Sequence, residues 1–105
     1  MKLSEWLETI ESHGIYKADK IAERFKRETG HDACWSTQSV NAVKEEMQDR
    51  GCGGYVKGED SERAATGYIM AMAIARKHVP GFKSTKMGRG FAFHEALDAL
   101  KAIGL

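Results

Sequence analysis

The amino-acid sequence predicts an all-α fold, a compact bundle of about five helices. Three observations support this prediction: apolar residues recur at helical spacing, glycines stand where those patterns end, and the chain contains one proline. The 105 residues are enough for one hydrophobic core, and no linker or internal repeat is visible. We therefore expect a single helical domain over residues 1–105.

The first two predicted helices are amphipathic. Residues 4–13 have their apolar side chains on one stripe, and Gly14 ends the pattern. Residues 17–29 show the same arrangement, with Gly30 at the end. Each helix therefore needs a partner that covers its apolar stripe.

The third predicted helix covers residues 36–50. Ser36 is a good N-cap, and Trp35 before it can pack on Val40 as a hydrophobic staple. A glycine-rich loop follows, over about residues 51–60.

The fourth predicted helix, residues 61–78, is the central one. It is rich in alanine and methionine, has a cationic C-terminal turn, and is stopped by Pro80. Its middle is apolar on all sides, which indicates that neighbours cover it all round. The predicted core has Tyr68, Ile69, Met72 and Ala73 at its centre, with Trp6, Leu7, Ile10, Ile21, Phe25, Val40, Val43, Met47, Leu97 and Leu100 from the other helices.

Two stretches leave a β-hairpin open as an alternative. Residues 55–57 and 66–70 could be its two arms, since short apolar runs cannot be assigned by periodicity alone. Residues 81–93 could form a glycine-tipped hairpin or an irregular loop. A last helix is predicted over residues 94–103. The fold is thus all-α, or mostly α with one short hairpin.

The net charge of +1 hides an uneven distribution of charged residues. Residues 1–62 hold nine Lys or Arg and thirteen Asp or Glu, whereas residues 63–94 hold six bases and no acid. Five of the six bases fall within residues 76–89, which we call the basic segment: Arg76, Lys77, Lys83, Lys86 and Arg89.

The basic segment indicates a surface that binds anions. Its partner would be the phosphate backbone of DNA or RNA, or an acidic face of another protein. Phe82, Phe91 and Phe93 are interleaved with the bases and would suit stacking on a single strand. The alternative is a solvated loop behind a cationic helix end, with the three phenylalanines in the core.

Residues 21–56 have the outline of a helix-turn-helix followed by a wing. This outline resembles winged-helix DNA-binding domains, and the resemblance implies that the third helix reads base edges. The connection over residues 30–35 is longer than the turn of the simple motif, and acids on the third helix would oppose phosphates. The candidate readers on its exposed side are Thr37, Gln38, Asn41 and Lys44.

Metal binding and catalysis have little support in the sequence. His31 and Cys34 have acceptable spacing for zinc, but Cys52 and His78 are isolated and form no second close pair. We therefore expect no metal, no cofactor and a fold that does not need zinc. Paired carboxylates, phosphate-binding loops and nucleophile motifs are absent from the sequence, so we expect no enzyme.

The sequence also bears on compartment and association. Two cysteines are too few for a secreted disulfide framework, and the longest apolar run has eight residues, Tyr68–Ala75, against the roughly 20 of a membrane span. Acidic residues interrupt the N-terminal stretch, so we expect no signal peptide, no membrane contact and a cytoplasmic protein. Uncovered apolar stripes with a net charge near zero also permit a homodimer.

We therefore expect a small regulatory or nucleic-acid-binding protein that acts through the basic segment without catalysis. The competing hypothesis is a protein-interaction or inhibitor module that places the same segment against an acidic partner.

Overall fold

The computed structural model describes residues 1–32, Asn41, 59–85 and 89–105. These residues form a mostly helical, compact bundle without a β-strand among them, which confirms the predicted fold class. The predicted third helix and the glycine-rich loop after it lie almost wholly outside the described residues. The elements are α1 (Leu3–Glu8), a 3-10 turn (Ile10–His13), α2 (Ala18–Thr29), α3 (Glu59–His78) and α4 (Arg89–Ala102).

The first predicted helix is divided at Thr9. The hydroxyl of Thr9 donates a hydrogen bond to the carbonyl oxygen of Glu5 at 2.8 Å, and the chain then tightens into the 3-10 turn. Gly14 ends the turn in the left-handed conformation, with φ of 66°, as its place in the sequence predicts. The amide of Ser4 donates to the carbonyl oxygen of Leu105 at 3.0 Å, which joins α1 to the chain after α4.

Helix α2 agrees with its predicted bounds to one residue. Its C-terminus is closed by Gly30, at φ of 77°, whose amide donates to the carbonyl oxygen of Lys26 at 2.8 Å. Its N-terminus has no side-chain cap from Lys17. Instead, the amide of Ala18 donates to Oε2 of Glu62, a residue of α3, at 2.7 Å. The start of α2 is therefore completed by a distant part of the chain.

Helix α3 is the central element, as predicted, and packs against α1, the 3-10 turn, α2 and α4. The hairpin alternative for residues 66–70 is wrong, because these residues lie inside α3. The predicted centre of the core is partly wrong: Met72 is buried, but Tyr68, Ile69 and Ala73 are only half-buried. The completely or almost completely buried residues of α3 are instead Ala65, Thr66, Met70, Ala71, Ile74 and Ala75. A helix that is apolar on all sides has no single apolar stripe from which its most buried face can be identified.

The rest of the predicted core is confirmed where the structure describes it. Trp6 lies at its centre, with its ring stacked on His13 at 4.3 Å and in edge contact with Phe25 at 5.2 Å between centroids. The predicted core residues Val40, Val43 and Met47 lie outside the described residues. The confirmed ones are Trp6, Leu7, Ile10, Ile21, Phe25, Leu97 and Leu100.

Gly67 occupies a buried position in the middle of α3, where glycine weakens a helix. A Cβ at this position would meet Cδ1 of Ile10 at 3.4 Å, which is an ordinary van der Waals contact. We expect Gly67→Ala to raise the free energy of unfolding by about 0.5–1 kcal/mol, measured by urea denaturation. Gly67→Leu should instead lower it by about 1–3 kcal/mol, because the longer side chain overpacks the contact with Ile10. A loss of stability in Gly67→Ala would contradict this account.

Helix α4 begins five residues before its predicted start at residue 94. Since Arg89–Phe93 is helical, the hairpin and the irregular loop predicted for residues 81–93 are both wrong for this part. The two glycines around Arg89 suggested a loop. Gly90, however, lies in the first turn of α4, where backbone amides need no acceptor within the helix and glycine is tolerated.

Candidate nucleic-acid interface

The basic segment starts at the C-terminal end of α3. Arg76 and Lys77 lie in the last turn of this helix, and both side chains are exposed. Cations at this position complement the negative end of the helix dipole. Arg63, the remaining base of the acid-free stretch, lies near the other end of α3, with its guanidinium 4.8 Å from the centre of the Tyr16 ring. The three bases of α3 are therefore divided between its two ends.

A tight turn connects α3 to the rest of the basic segment. The amide of Val79 still donates to the carbonyl oxygen of Ala75, at 2.8 Å, and the amide of Phe82 donates to the carbonyl oxygen of Val79, at 3.1 Å. Gly81 has φ of 75°, a conformation that glycine adopts without strain. Phe82 is half-buried and packs on the core, so it anchors the chain directly before the exposed Lys83.

A second anchor follows Lys83. The amide of Thr85 donates to Oε1 of Glu95 at 2.7 Å, and its hydroxyl donates to Oε2 of the same carboxylate at 2.6 Å. Charge-assisted bonds of this length are stronger than neutral ones. Glu95 is the first acid after the acid-free stretch, and both of its carboxylate oxygens accept from Thr85. Lys83 is therefore presented between two fixed points.

The three phenylalanines of the region have different environments. Phe82 and Phe93 are half-buried and pack against the core, whereas Phe91 is 69% exposed. Phe91 precedes Glu95 by four residues on α4, and residues at this spacing lie on the same helix face. The exposed ring therefore lies one turn from the carboxylate that binds Thr85. Among the described phenylalanines, tyrosines and tryptophans, Phe91 alone is exposed.

Other predicted site residues lie outside the described parts of the chain. They are Thr37, Gln38, Lys44 and Lys86. Asn41 is exposed, and Arg89 is the first residue of α4. The described portion thus brings Arg76, Lys77 and Lys83 to the surface in one stretch of chain.

Sequence reasoning missed the contact of Thr85 with Glu95 and the pairing of two histidines. The rings of His31 and His78 are in edge-to-face contact, with centroids 5.6 Å apart. Burial lowers the pKa of His78, and the neighbouring His31 and Lys77 lower it further, so the imidazole favours its neutral form. The sequence placed both histidines in one candidate zinc set but did not indicate that their rings are in contact, because they end two different helical segments that only tertiary packing brings together.

The described residues contain no group of three or more His, Cys, Asp or Glu side chains that could hold a metal ion. Cys34 and Cys52, the other members of the zinc set that the sequence suggested, lie outside them.

None of the described helices combines the length and the apolar character that crossing a bilayer requires. This holds for α3 as well, although it is 20 residues long.

The comparison with known proteins gives no relative from which a function could be transferred. No protein-family model, no curated protein and no solved structure matches this chain.

Proposed function

We propose that the chain is a non-catalytic protein that binds single-stranded nucleic acid through the basic segment. Arg76, Lys77 and Lys83 contact phosphates, and a base stacks on Phe91. The observation that supports this most directly is the 69% exposure of Phe91 within an acid-free stretch whose bases Arg76, Lys77 and Lys83 are also exposed. A positive groove combined with exposed aromatic rings is how proteins bind single strands without sequence preference.

The charge distribution favours a phosphate ligand. Residues 63–94 contain six bases and no acid, so no carboxylate within this stretch repels a polyanion. The first acid after this stretch, Glu95, accepts hydrogen bonds from Thr85 with both carboxylate oxygens. By sequence, Lys86 and Arg89 add two further positive charges to the same segment.

The exposed ring favours a single strand over a duplex. The π-face of an unpaired base is open to stacking, and such a contact contributes about 1–3 kcal/mol per base. In a duplex the bases are already stacked on one another, so Phe91 has no such partner there. The half-buried Phe82 and Phe93 stabilise the fold instead, because both pack on the core.

The experiment is a fluorescence-anisotropy titration of labelled single-stranded and duplex oligonucleotides at two or more salt concentrations. Affinity for the single strand should fall steeply with salt, by about 0.7 in log K per log unit of salt for each phosphate neutralised. The triple variant Arg76→Gln, Lys77→Gln, Lys83→Gln should reduce this slope by about two units and weaken binding to unrelated sequences equally.

Phe91→Ala should have a different signature. It should weaken binding by about 1–3 kcal/mol, or roughly 5- to 150-fold, and leave the salt slope unchanged, because no charge is removed.

The matched control for the triple variant removes three exposed bases from the acid-containing half of the chain: Lys2→Gln, Lys17→Gln and Lys20→Gln. It changes the net charge by the same amount and should leave the salt slope at the wild-type value. Equal effects of the two triple variants would overturn the assignment of the site. Absence of binding at every salt concentration would overturn the nucleic-acid proposal itself and favour an acidic protein partner.

A further inference from the structure

The pair of histidines lies at the end of α3, at a site that the proposed function does not use. His31 follows the residue that closes α2, and His78 is the last residue of α3. Their rings meet almost at right angles, with an interplanar angle of 85° and 5.6 Å between centroids. Both side chains are half-buried. The arrangement places two imidazoles side by side at the junction of two helices.

The backbone holds both residues in place before any ligand binds. On the α2 side, the left-handed Gly30 turns the chain, and the amide of His31 donates to Oγ1 of Thr29 at 3.3 Å. On the α3 side, helical hydrogen bonding continues past His78, because the amide of Val79 donates to the carbonyl oxygen of Ala75. Only the side-chain torsions remain to be adjusted, and the χ2 torsion of histidine is broad.

The edge-to-face contact of the two rings is a favourable packing arrangement. Two imidazoles cannot form an ion pair with each other, and they repel when both are protonated. Neutral imidazole, by contrast, is the commonest side-chain ligand for transition-metal ions in proteins. Two neighbouring imidazoles therefore offer a pair of nitrogen ligands of the kind that transition-metal ions bind.

The distance between the rings fits a shared metal ion. A Zn–N bond of about 2.0–2.1 Å puts each ring centroid about 3.2 Å from the metal, so two rings at the tetrahedral angle have centroids about 5.2 Å apart. The observed 5.6 Å exceeds this by a few tenths of an ångström. Binding then requires χ2 rotations that turn one nitrogen of each ring toward a common ion.

We propose that His31 and His78 form a two-histidine site for a borderline divalent transition-metal ion of the Zn²⁺ or Ni²⁺ type. Within the described portion of the chain no third His, Cys, Asp or Glu joins them, and in the proposed site water supplies the remaining ligands. The oxygen-preferring ions Ca²⁺ and Mg²⁺ do not suit a site of two nitrogens. A site with these two protein ligands is exchangeable, whereas a structural zinc centre has four.

The charged residues around the two histidines affect the affinity of the proposed site for a metal ion. Lys77 precedes His78 and opposes a cation, whereas Asp32 follows His31 but forms an ion pair with Lys26 at 3.0 Å. Lys77→Gln should therefore strengthen metal binding while it weakens nucleic-acid binding. Because the two affinities should change in opposite directions, this variant tests the metal site independently of the proposed function.

The test is isothermal titration calorimetry of the full chain, without an affinity tag, with ZnCl₂ and separately with NiCl₂ at neutral pH. We expect one ion per chain, no heat with MgCl₂, and changes in the imidazole proton resonances of both histidines in NMR spectra. His31→Gln and His78→Gln should each weaken binding of the metal ion by at least about 10–100-fold. That is the cost of removing a residue that only supports a metal ligand. Circular dichroism should confirm that both glutamine variants are folded.

The matched control is His94→Gln, since His94 is an exposed histidine on α4 outside the pair. It should bind the ion as the wild type does. Wild-type affinity in both His31→Gln and His78→Gln would assign the ion to other ligands, such as the two cysteines, and would overturn the proposal. Absence of binding by the wild-type chain would overturn it as well. Neither result bears on the salt-dependence experiment with nucleic acid.

Discussion

Replacing Phe25 with alanine should lower the free energy of unfolding by about 3–5 kcal/mol, the range for deleting a buried aromatic side chain. Phe25 is completely buried, and its ring is in edge contact with Trp6. Trp6 is itself held by His13, whose ring stacks on the indole at 4.3 Å. The stacked His13 opposes movement of the indole into the vacated space, so we expect a cavity to remain. For a domain of this size, whose total stability is about 5–15 kcal/mol, the loss is a large fraction.

The measurement is urea unfolding followed by far-UV circular dichroism, with the m-value checked for a change in the denatured state. Phe91→Ala is the matched control, because it makes the same substitution at a side chain that is 69% exposed. It should change stability by no more than about 0.5 kcal/mol. Phe25→Leu, which keeps more of the volume, should give an intermediate loss and keeps the test usable where Phe25→Ala does not fold. Equal losses in Phe25→Ala and Phe91→Ala would contradict the assigned core.

Replacing Glu62 with alanine should lower the free energy of unfolding by about 1–2 kcal/mol, as expected for loss of a charged N-cap. The carboxylate accepts a hydrogen bond from the amide of Ala18, at 2.7 Å, and lies near the positive end of the α2 dipole. Since Lys17 provides no cap, nothing on α2 itself replaces this contact. Glu62→Gln should be milder than Glu62→Ala, because the amide oxygen still accepts while the negative charge is lost.

Two readouts distinguish this effect from a general change of surface charge. The Ala18 amide should exchange with solvent faster in Glu62→Ala, as followed by NMR. Glu23→Ala is the control: Glu23 is exposed on α2 and pairs with Lys20 at 3.6 Å, a contact that contributes about 0.2–1 kcal/mol at most. An equal loss in both variants, with unchanged exchange at Ala18, would show that the cap does not stabilise α2.

The sequence predicts helices well where amphipathic periodicity and a stop signal agree. Helix α2 is the best example, because its apolar stripe and Gly30 indicate the observed bounds to within one residue. The bounds of α4 were less predictable, since Gly88 and Gly90 favour a loop while the first helical turn tolerates glycine. The buried face of α3 could not be predicted, because a helix with apolar residues on every side gives no preferred direction.

In the candidate site, too, the features that depend on local sequence could be predicted, and those that depend on tertiary packing could not. The acid-free stretch is a property of the sequence and could be recognised from it. The exposure of Phe91 could not, because Phe82, Phe91 and Phe93 are chemically alike and only packing against the core separates them. The pair of His31 and His78 depends on the docking of α2 on α3, for which the sequence contains no local signal.

The hydrogen bonds from Thr85 to Glu95 affect the entropy change when a ligand binds at Lys83. Phe82 is packed on one side of Lys83, and Thr85 is bound through its amide and its hydroxyl on the other. The backbone entropy of this short stretch is therefore lost when the chain folds, and only the side-chain rotamers of Lys83 remain to be ordered on association. Association here should accordingly show a smaller unfavourable entropy than binding by a free basic tail of the same charge.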